Sequence, residues 1–273
     1  MTPAVSFAGL FPDRDYGHHL AVKRGDVARF FAPTSDHSAI VQERGHWLSQ
    51  SPEKYAGALE GSEPFIEEAA AILDSSICDA ATNALEKIID LGGKIEPDIV
   101  LLEKQEDEIF KVVAGCVCFP SSWNFAEKLG KPLHDVHEVV PDLNQSIGDP
   151  IARFLGKIQP GASWERSNWG LSASAERNQH PSLKIPRLTS PALLDRVWLR
   201  VEDQILSILP ETGALLFGIR IVTTSLAELG RHQPGVIPAL RRALATMPEA
   251  MARYKNIDAV REEILKLLEA PTG

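Results

Sequence analysis

The spacing of hydrophobic positions along this chain changes several times, and each change predicts an element. From Glu63 to Asp90 apolar residues recur at helical spacing, first Phe65, Ala69, Ile72 and Leu73, then Leu85, Ile88 and Ile89. This predicts two helices, the second stopped by Gly92-Gly93. Ile99–Lys104 and Ile109–Phe119 are short β-rich runs separated by the polar Gln105-Glu106-Asp107-Glu108, the pattern of a hairpin. Trp164–Leu171 and the strongly apolar Ala214–Thr223 predict two more strands. Between them, Leu194, Val197, Trp198, Val201, Ile205 and Ile208 fall on one stripe if residues 193–208 are helical. Ala239–Arg253 reads as a further helix, and Asn256 as the cap of a last one that buries Ile257, Val260, Ile264, Leu267 and Leu268. Residues 1–46, rich in Asp, His, Gly and Pro, show little periodicity and predict an irregular arm. Residues 47–273 then form one domain with a helical C-terminal extension. Strands mixed with helices, without regular β-α-β alternation, favour an α+β fold. Its single antiparallel sheet should contain residues 109–119, 164–171 and 214–224.

Composition narrows the partners. Apolar residues make up 44% and charged residues 24%, as in an ordinary folded domain. With 37 acidic against 28 basic side chains the net charge is -9, which repels phosphate backbones and anionic membrane surfaces. Lys23-Arg24 and Arg241-Arg242 are too short to override that field, so neither nucleic acid nor membrane is an expected partner. No apolar run reaches the roughly eighteen residues that would span a bilayer. The opening Met1-Thr-Pro-Ala-Val-Ser-Phe-Ala8 does not have the pattern of a signal peptide, so a cytoplasmic location is expected. Three cysteines, an odd number, make no secreted disulfide framework.

Glycine-rich phosphate loops, Gly-x-Ser-x-Gly and His-Glu-x-x-His are all missing from the sequence, so nucleotide, hydrolase and zinc-protease readings lose their usual anchor. Cys116-Val117-Cys118, on a strand, turns both thiols to one buried face and reads as core. His18-His19 and Asp36-His37-Ser38 fall in the arm and read as surface groups. The most informative stretch runs from Cys118-Phe-Pro-Ser-Ser-Trp-Asn-Phe to Leu133-His-Asp-Val-His-Glu-Val-Val-Pro141. Ser121 or Ser122 can cap a short helix there, Gly130 ends it, and Pro132 suits the first turn of the next. If residues 132–140 are helical, Leu133, Val136, His137 and Val140 share an apolar face, while His134 lies beside Glu138 toward solvent. An inward histidine is either a core residue with hydrogen-bonded nitrogens or a ligand, and spacing leaves both open.

This segment, Arg166-Ser-Asn-Trp169, Arg200-Val-Glu-Asp-Gln204 and Leu209-Pro-Glu-Thr-Gly-Ala-Leu-Leu-Phe-Gly-Ile-Arg220 together resemble the family of the alpha subunit of haem-dependent oxidative N-demethylase. The similarity runs from about Trp47 to Tyr254-Lys255. It implies a PAS-like fold holding a b-type haem, and removal of a methyl group from a small secondary amine, with molecular oxygen, as formaldehyde. Electrons would come from NADPH through a separate flavin-containing reductase. Carried onto this sequence, the resemblance makes His137 the axial ligand of the iron. It makes Arg166, Arg200 and Arg220 candidates for the haem propionates, and Trp123 and Trp169 walls of the pocket. Asn168 is the candidate catalytic residue, hydrogen-bonding substrate or oxygen, or else it satisfies a strand end. Arg220 lies in an apolar strand and needs a partner, either the cofactor or Glu202. The chain departs from the family pattern at Glu138, at Asp203, where a basic residue is usual, and at Ile221-Val222, where Thr-Tyr is frequent. A haem-binding sensor without turnover, or an interaction protein without cofactor, would use the same fold.

Overall fold

A computed structural model of the chain describes residues 7–106 and 108–269. Its centre is one seven-stranded sheet in which every neighbouring pair is antiparallel. In chain order the strands are β1 (Lys23–Arg24), β2 (Ala56–Ala58), β3 (Asp98–Lys104), β4 (Phe110–Cys116), β5 (Ser163–Ser172), β6 (Trp198–Ile208) and β7 (Leu215–Ser225). Across the sheet they run β1-β5-β6-β7-β3-β4-β2. The expected α+β architecture is therefore present, and residues 109–119, 164–171 and 214–224 do contribute strands of one sheet.

Helices cover one face. α1 (Val27–Phe31), α2 (His37–Gln50), α3 (Pro52–Tyr55), α4 (Glu63–Ile72) and α5 (Ala84–Lys94) pack at the β3–β4 end. α6 (Leu133–His137) and α7 (Asp149–Leu155) lie in a flap on the opposite face. α8 (Leu226–His232), α9 (Ile237–Thr246), α10 (Glu249–Tyr254) and α11 (Arg261–Leu267) return to the helical face over β5 and β6. Local chemistry sets several of these ends. The Asp26 and Asn83 side chains accept from the backbone N–H of Arg29 and Glu86, and Ser225 with Glu228 closes a capping box. Residues 249–254 and 261–267 are separate helices, and Asn256 sits between them in left-handed backbone, ending the first instead of capping the second.

The arm expected to be irregular through residue 46 carries two helices in its second half. α1 holds because Phe31 seats on Gly218 of β7, where a Cβ would meet the Phe31 ring at 2.7 Å. A second correction concerns Gly92-Gly93, which do not stop α5; it runs on to Lys94. Gly92 is a place of close approach, since a Cβ there would lie 2.2 Å from the Cys116 Sγ of β4. Its carbonyl also accepts from Arg44 Nε at 2.6 Å. Ile88 and Leu91 of the same helix are fully buried, each worth roughly 1.5–3 kcal/mol in apolar burial.

The largest correction is at residues 193–208. No helix forms there; residues 198–208 are β6, paired along its whole length with β5 and β7. Leu199, Val201 and Ile205 face the helical layer, while Leu206 and Ile208 face the flap. A strand buried on both sides loses its polar alternation, and the remaining apolar residues matched a helical stripe. Strand β6 crosses the middle of the molecule and decides which side chains share a face.

Candidate functional site

Cross-strand register sorts the candidates. Arg166 stands opposite Gln204, Asn168 opposite Glu202, and Gly170 opposite Arg200, all pointing to the flap face. Trp169 pairs with Val201 and Arg220 with Asp203, which puts both on the helical face. The residues expected to surround one cofactor thus occupy two sides of the sheet.

On the flap face the segment after β4 folds much as its composition suggests. Asn124, instead of Ser121 or Ser122, caps a 3-10 turn at Phe125–Glu127, and Gly130 closes it at φ 79°. Pro132 precedes α6, which spans residues 133–137 and is shorter than the expected 132–140. The phase holds: Leu133, Val136, His137 and Val140 are half-buried, while His134 and Glu138 are exposed. Leu133 and Val136 pack into the cluster that also takes Trp123, Trp164, Leu206 and Phe217.

His137 stands beside this layer, and neither ring nitrogen has a hydrogen-bond partner among the described residues. Burial, then repulsion from Arg166, His134 and Lys128, lowers its pKa to about 4. At neutral pH the ring is therefore neutral and has a lone pair to give. Arg166 faces it with an equally uncommitted guanidinium, which makes no hydrogen bond or ion pair among the described residues. Burial pulls its pKa down and Glu202 pulls it up. A half-buried arginine without an acceptor is costly unless a ligand supplies one.

Arg200 is its opposite. Buried at 4% exposure, its guanidinium donates to Ser121 Oγ at 2.8 Å and to the carbonyls of Glu176, Phe119 and Arg177 at 3.1, 2.8 and 2.8 Å. Burial lowers its pKa to about 10. These four bonds leave little capacity for a ligand. The next link is Glu202, whose Oε1 accepts from the Ser121 hydroxyl. Its Oε2 accepts from Asn168 Nδ2 at 3.3 Å and Gln204 Nε2 at 3.0 Å. The Asn168 amide is thereby oriented, and among the described residues its carbonyl oxygen accepts no hydrogen bond.

Across the sheet, Arg220 is paired with Glu96, not with Glu202, and also donates to the Phe30 carbonyl at 2.6 Å. Glu96 further accepts from Thr34 N at 2.5 Å and lies 3.1 Å from His37 Nδ1, so this node ties the arm to the sheet. Trp169 packs edge-on against Phe11 at 4.9 Å, with Lys255 Nζ 5.5 Å from its ring centroid. Trp123 is half-buried between the flap cluster and the helical core.

A cavity of about 810 Å³ opens at the β5 edge beneath the arm, a size suited to a cofactor or small ligand. Arg166, Asn168, Trp169 and Arg220 line it from the two faces, together with Leu143 and Ile147 of the flap; His137 is not in its wall. The arm and the flap meet where His18 Nε2 lies 2.8 Å from the carbonyl of Pro141.

The model of the family described as haem-dependent oxidative N-demethylase, alpha subunit-like, matches residues 75–265, well over half the chain. The chain belongs to this family. In an alpha-subunit-like protein of a haem-dependent demethylase the flap face gains a specific meaning, because it offers what such a group requires. A neutral imidazole and an unpaired guanidinium stand beside an apolar layer of Leu133, Val136, Trp164 and Phe217. No helix among the described residues is long and apolar enough to cross a membrane. Sequence reasoning missed the Ser121–Glu202–Gln204 network. Reading residues 200, 202 and 204 with strand alternation would have placed them beside Arg166 and Asn168.

Proposed function

We propose that this demethylase-family chain binds a b-type haem on the flap face of a PAS-like sheet, with His137 as axial ligand, and acts on a small secondary methylated amine. The carrying observation is the meeting of a neutral, unpartnered His137 with an unpartnered Arg166 inside two of the family's motifs. A bound haem would supply the oxygen chemistry that oxidises the methyl group, which leaves as formaldehyde. Arg166 would hold a carboxylate of the cofactor through charge-assisted hydrogen bonds. Leu133, Val136, Trp123 and Phe217 would exclude water from the flat faces. Asn168, held at its amide by Glu202, would accept a hydrogen bond from the amine N–H and orient it. Arg200 would act at one remove, fixing Ser121 and so the Glu202 carboxylate.

The chain has no dinucleotide fingerprint, which supports a separate flavin-containing reductase as the carrier of electrons from NADPH. The test begins with the absorption spectrum of the purified protein supplied with haem. A Soret band is expected, altered or lost in His137→Ala and retained in His134→Ala, with circular dichroism unchanged in both. Formaldehyde should appear on adding reductant, oxygen and a methylated secondary amine. A Soret band that survives His137→Ala but not His134→Ala would overturn the ligand assignment.

A further inference from the structure

Among the described residues four buried side-chain nitrogens lack a hydrogen-bond partner, and one of them, Trp164 Nε1, shares a strand face with Arg166. Trp164 stands two residues before Arg166 on β5, so both side chains rise on the flap face. A buried indole N–H left unpaired is costly, so such a donor marks a place where a ligand or water supplies the acceptor. The Trp164 ring packs edge-on against Phe154 at 5.5 Å, inside the layer that holds Leu133 and Val136 of the His137 helix. From β1, Arg24 pairs in register with Trp164 and lays its guanidinium 4.4 Å from the ring centroid. That cation polarises the indole and adds positive charge at the same spot.

Among the described residues no carboxylate forms an ion pair with Arg24 or Arg166, although Glu202 acts on Arg166 from a distance. Glu165, between the two residues, points to the other side and takes up Lys23 at 3.6 Å and Arg29 at 2.7 Å. Both Glu202 oxygens are engaged by Ser121, Asn168 and Gln204. In a chain of net charge -9, the β1–β5 edge therefore keeps on a single face two guanidinium groups and one indole N–H that are unpaired among the described residues. Donors of this kind are complementary to carboxylate oxygens.

We propose that Trp164 and Arg166 form a clamp for the carboxylate side chains of the bound porphyrin, with Arg24 supplying additional positive charge over the indole. The clamp rests on the haem reading above and deepens it: recognition of the porphyrin carboxylates should depend on Trp164 as well as on Arg166. The full chain is titrated with haem and with its dimethyl ester, following the Soret band. The diacid should bind at least about tenfold more tightly, one charge-assisted bond being worth that much. Trp164→Phe, which keeps the apolar ring, should narrow this preference several-fold while leaving the diester affinity in place. Arg166→Met should narrow it further. With diamagnetic zinc protoporphyrin, the indole N–H signal of Trp164, identified by its loss in Trp164→Phe, should move downfield. Equal affinity for diacid and diester in the unaltered chain would overturn the clamp while leaving haem binding standing. An unchanged preference in Trp164→Phe would do the same. Absence of a Soret shift with either porphyrin would overturn the haem reading and the clamp together.

Discussion

Arg44 and Arg166 are both shielded arginines in the same small protein, and they are kept in opposite ways. Arg44 is fully buried and donates to Asp98 at 2.6 Å, to the Gly92 carbonyl at 2.6 Å and to the carbonyls of Glu96 and Cys116 at 3.4 Å. Asp98 is in turn held by the backbone N–H groups of Cys118 and Phe119 at 2.7 and 3.1 Å. Burial opposes the Arg44 charge, but Cys118, Asp98 and Cys116 together raise its pKa above the ordinary value. Arg166 is half-buried, is also desolvated enough to lower its pKa, and has no such partners among the described residues. Arg200, and Arg220 with Glu96, belong with Arg44: their donors are spent on the fold. Among arginines in family motifs, the unsatisfied one is the one available to a ligand.

Breaking the satisfied node should produce the largest effect. Arg44→Met leaves Asp98 buried without its counter-ion and should cost about 3–5 kcal/mol in urea unfolding. Arg200→Met strands three carbonyls and the Ser121 hydroxyl, and a loss of about 2–3 kcal/mol is expected from the same measurement. Gly92→Ala presses a methyl group into Cys116 and should cost about 1–3 kcal/mol, with Cys116→Ala on top of it restoring part of the loss. Arg166→Met should change stability of the haem-free protein by no more than about 1 kcal/mol in either direction, since no bond is lost. A large loss there would erase the distinction between the two kinds of arginine.

The smallest effect concerns Lys255, whose Nζ donates to the Trp169 carbonyl at 2.5 Å and whose pKa burial lowers to about 8. Its unfolded pKa is near 10.4, so between about pH 8 and 10.4 the unfolded chain binds more protons than the folded one. The contribution of this residue to stability should therefore rise with pH across that window. The stability of the unaltered chain relative to Lys255→Met should increase from pH 8 to pH 10; a flat or falling difference would show that the ammonium is not desolvated.

Local signals carried much of the fold. The β3–β4 hairpin, the strand at Leu215–Ser225 and the two helices within residues 63–94 follow from short-range periodicity and turn residues. The inward turn of His137 follows from helical phase alone. The failures share one cause, contact with distant residues. Gly92 looks like a stop until Cys116 is placed against it. Strand β6 looks helical because it is covered on both sides. The partner of Arg220 sits at Glu96, which no local pattern connects to it. For the candidate site this mattered most at Trp169 and Arg220, whose face is set by register with β6 and by nothing in their own neighbourhoods.

Strand order has a consequence for how the chain is made. β3 pairs on one side with β4, available at once, and on the other with residues 215–219 of β7. On the ribosome the hairpin of residues 98–116 emerges long before that second partner, with an apolar edge of Ile99, Val100, Leu101 and Leu102 unpaired. Non-local pairing of this kind folds slowly, and an open edge is a template for neighbouring nascent chains. The flap and its histidine are synthesised in that interval, before β5, β6 and β7 exist to receive them. The flap face is thus completed only once residues 198–225 have emerged, and a nascent chain held short of Ser225 lacks part of the sheet on which the flap packs.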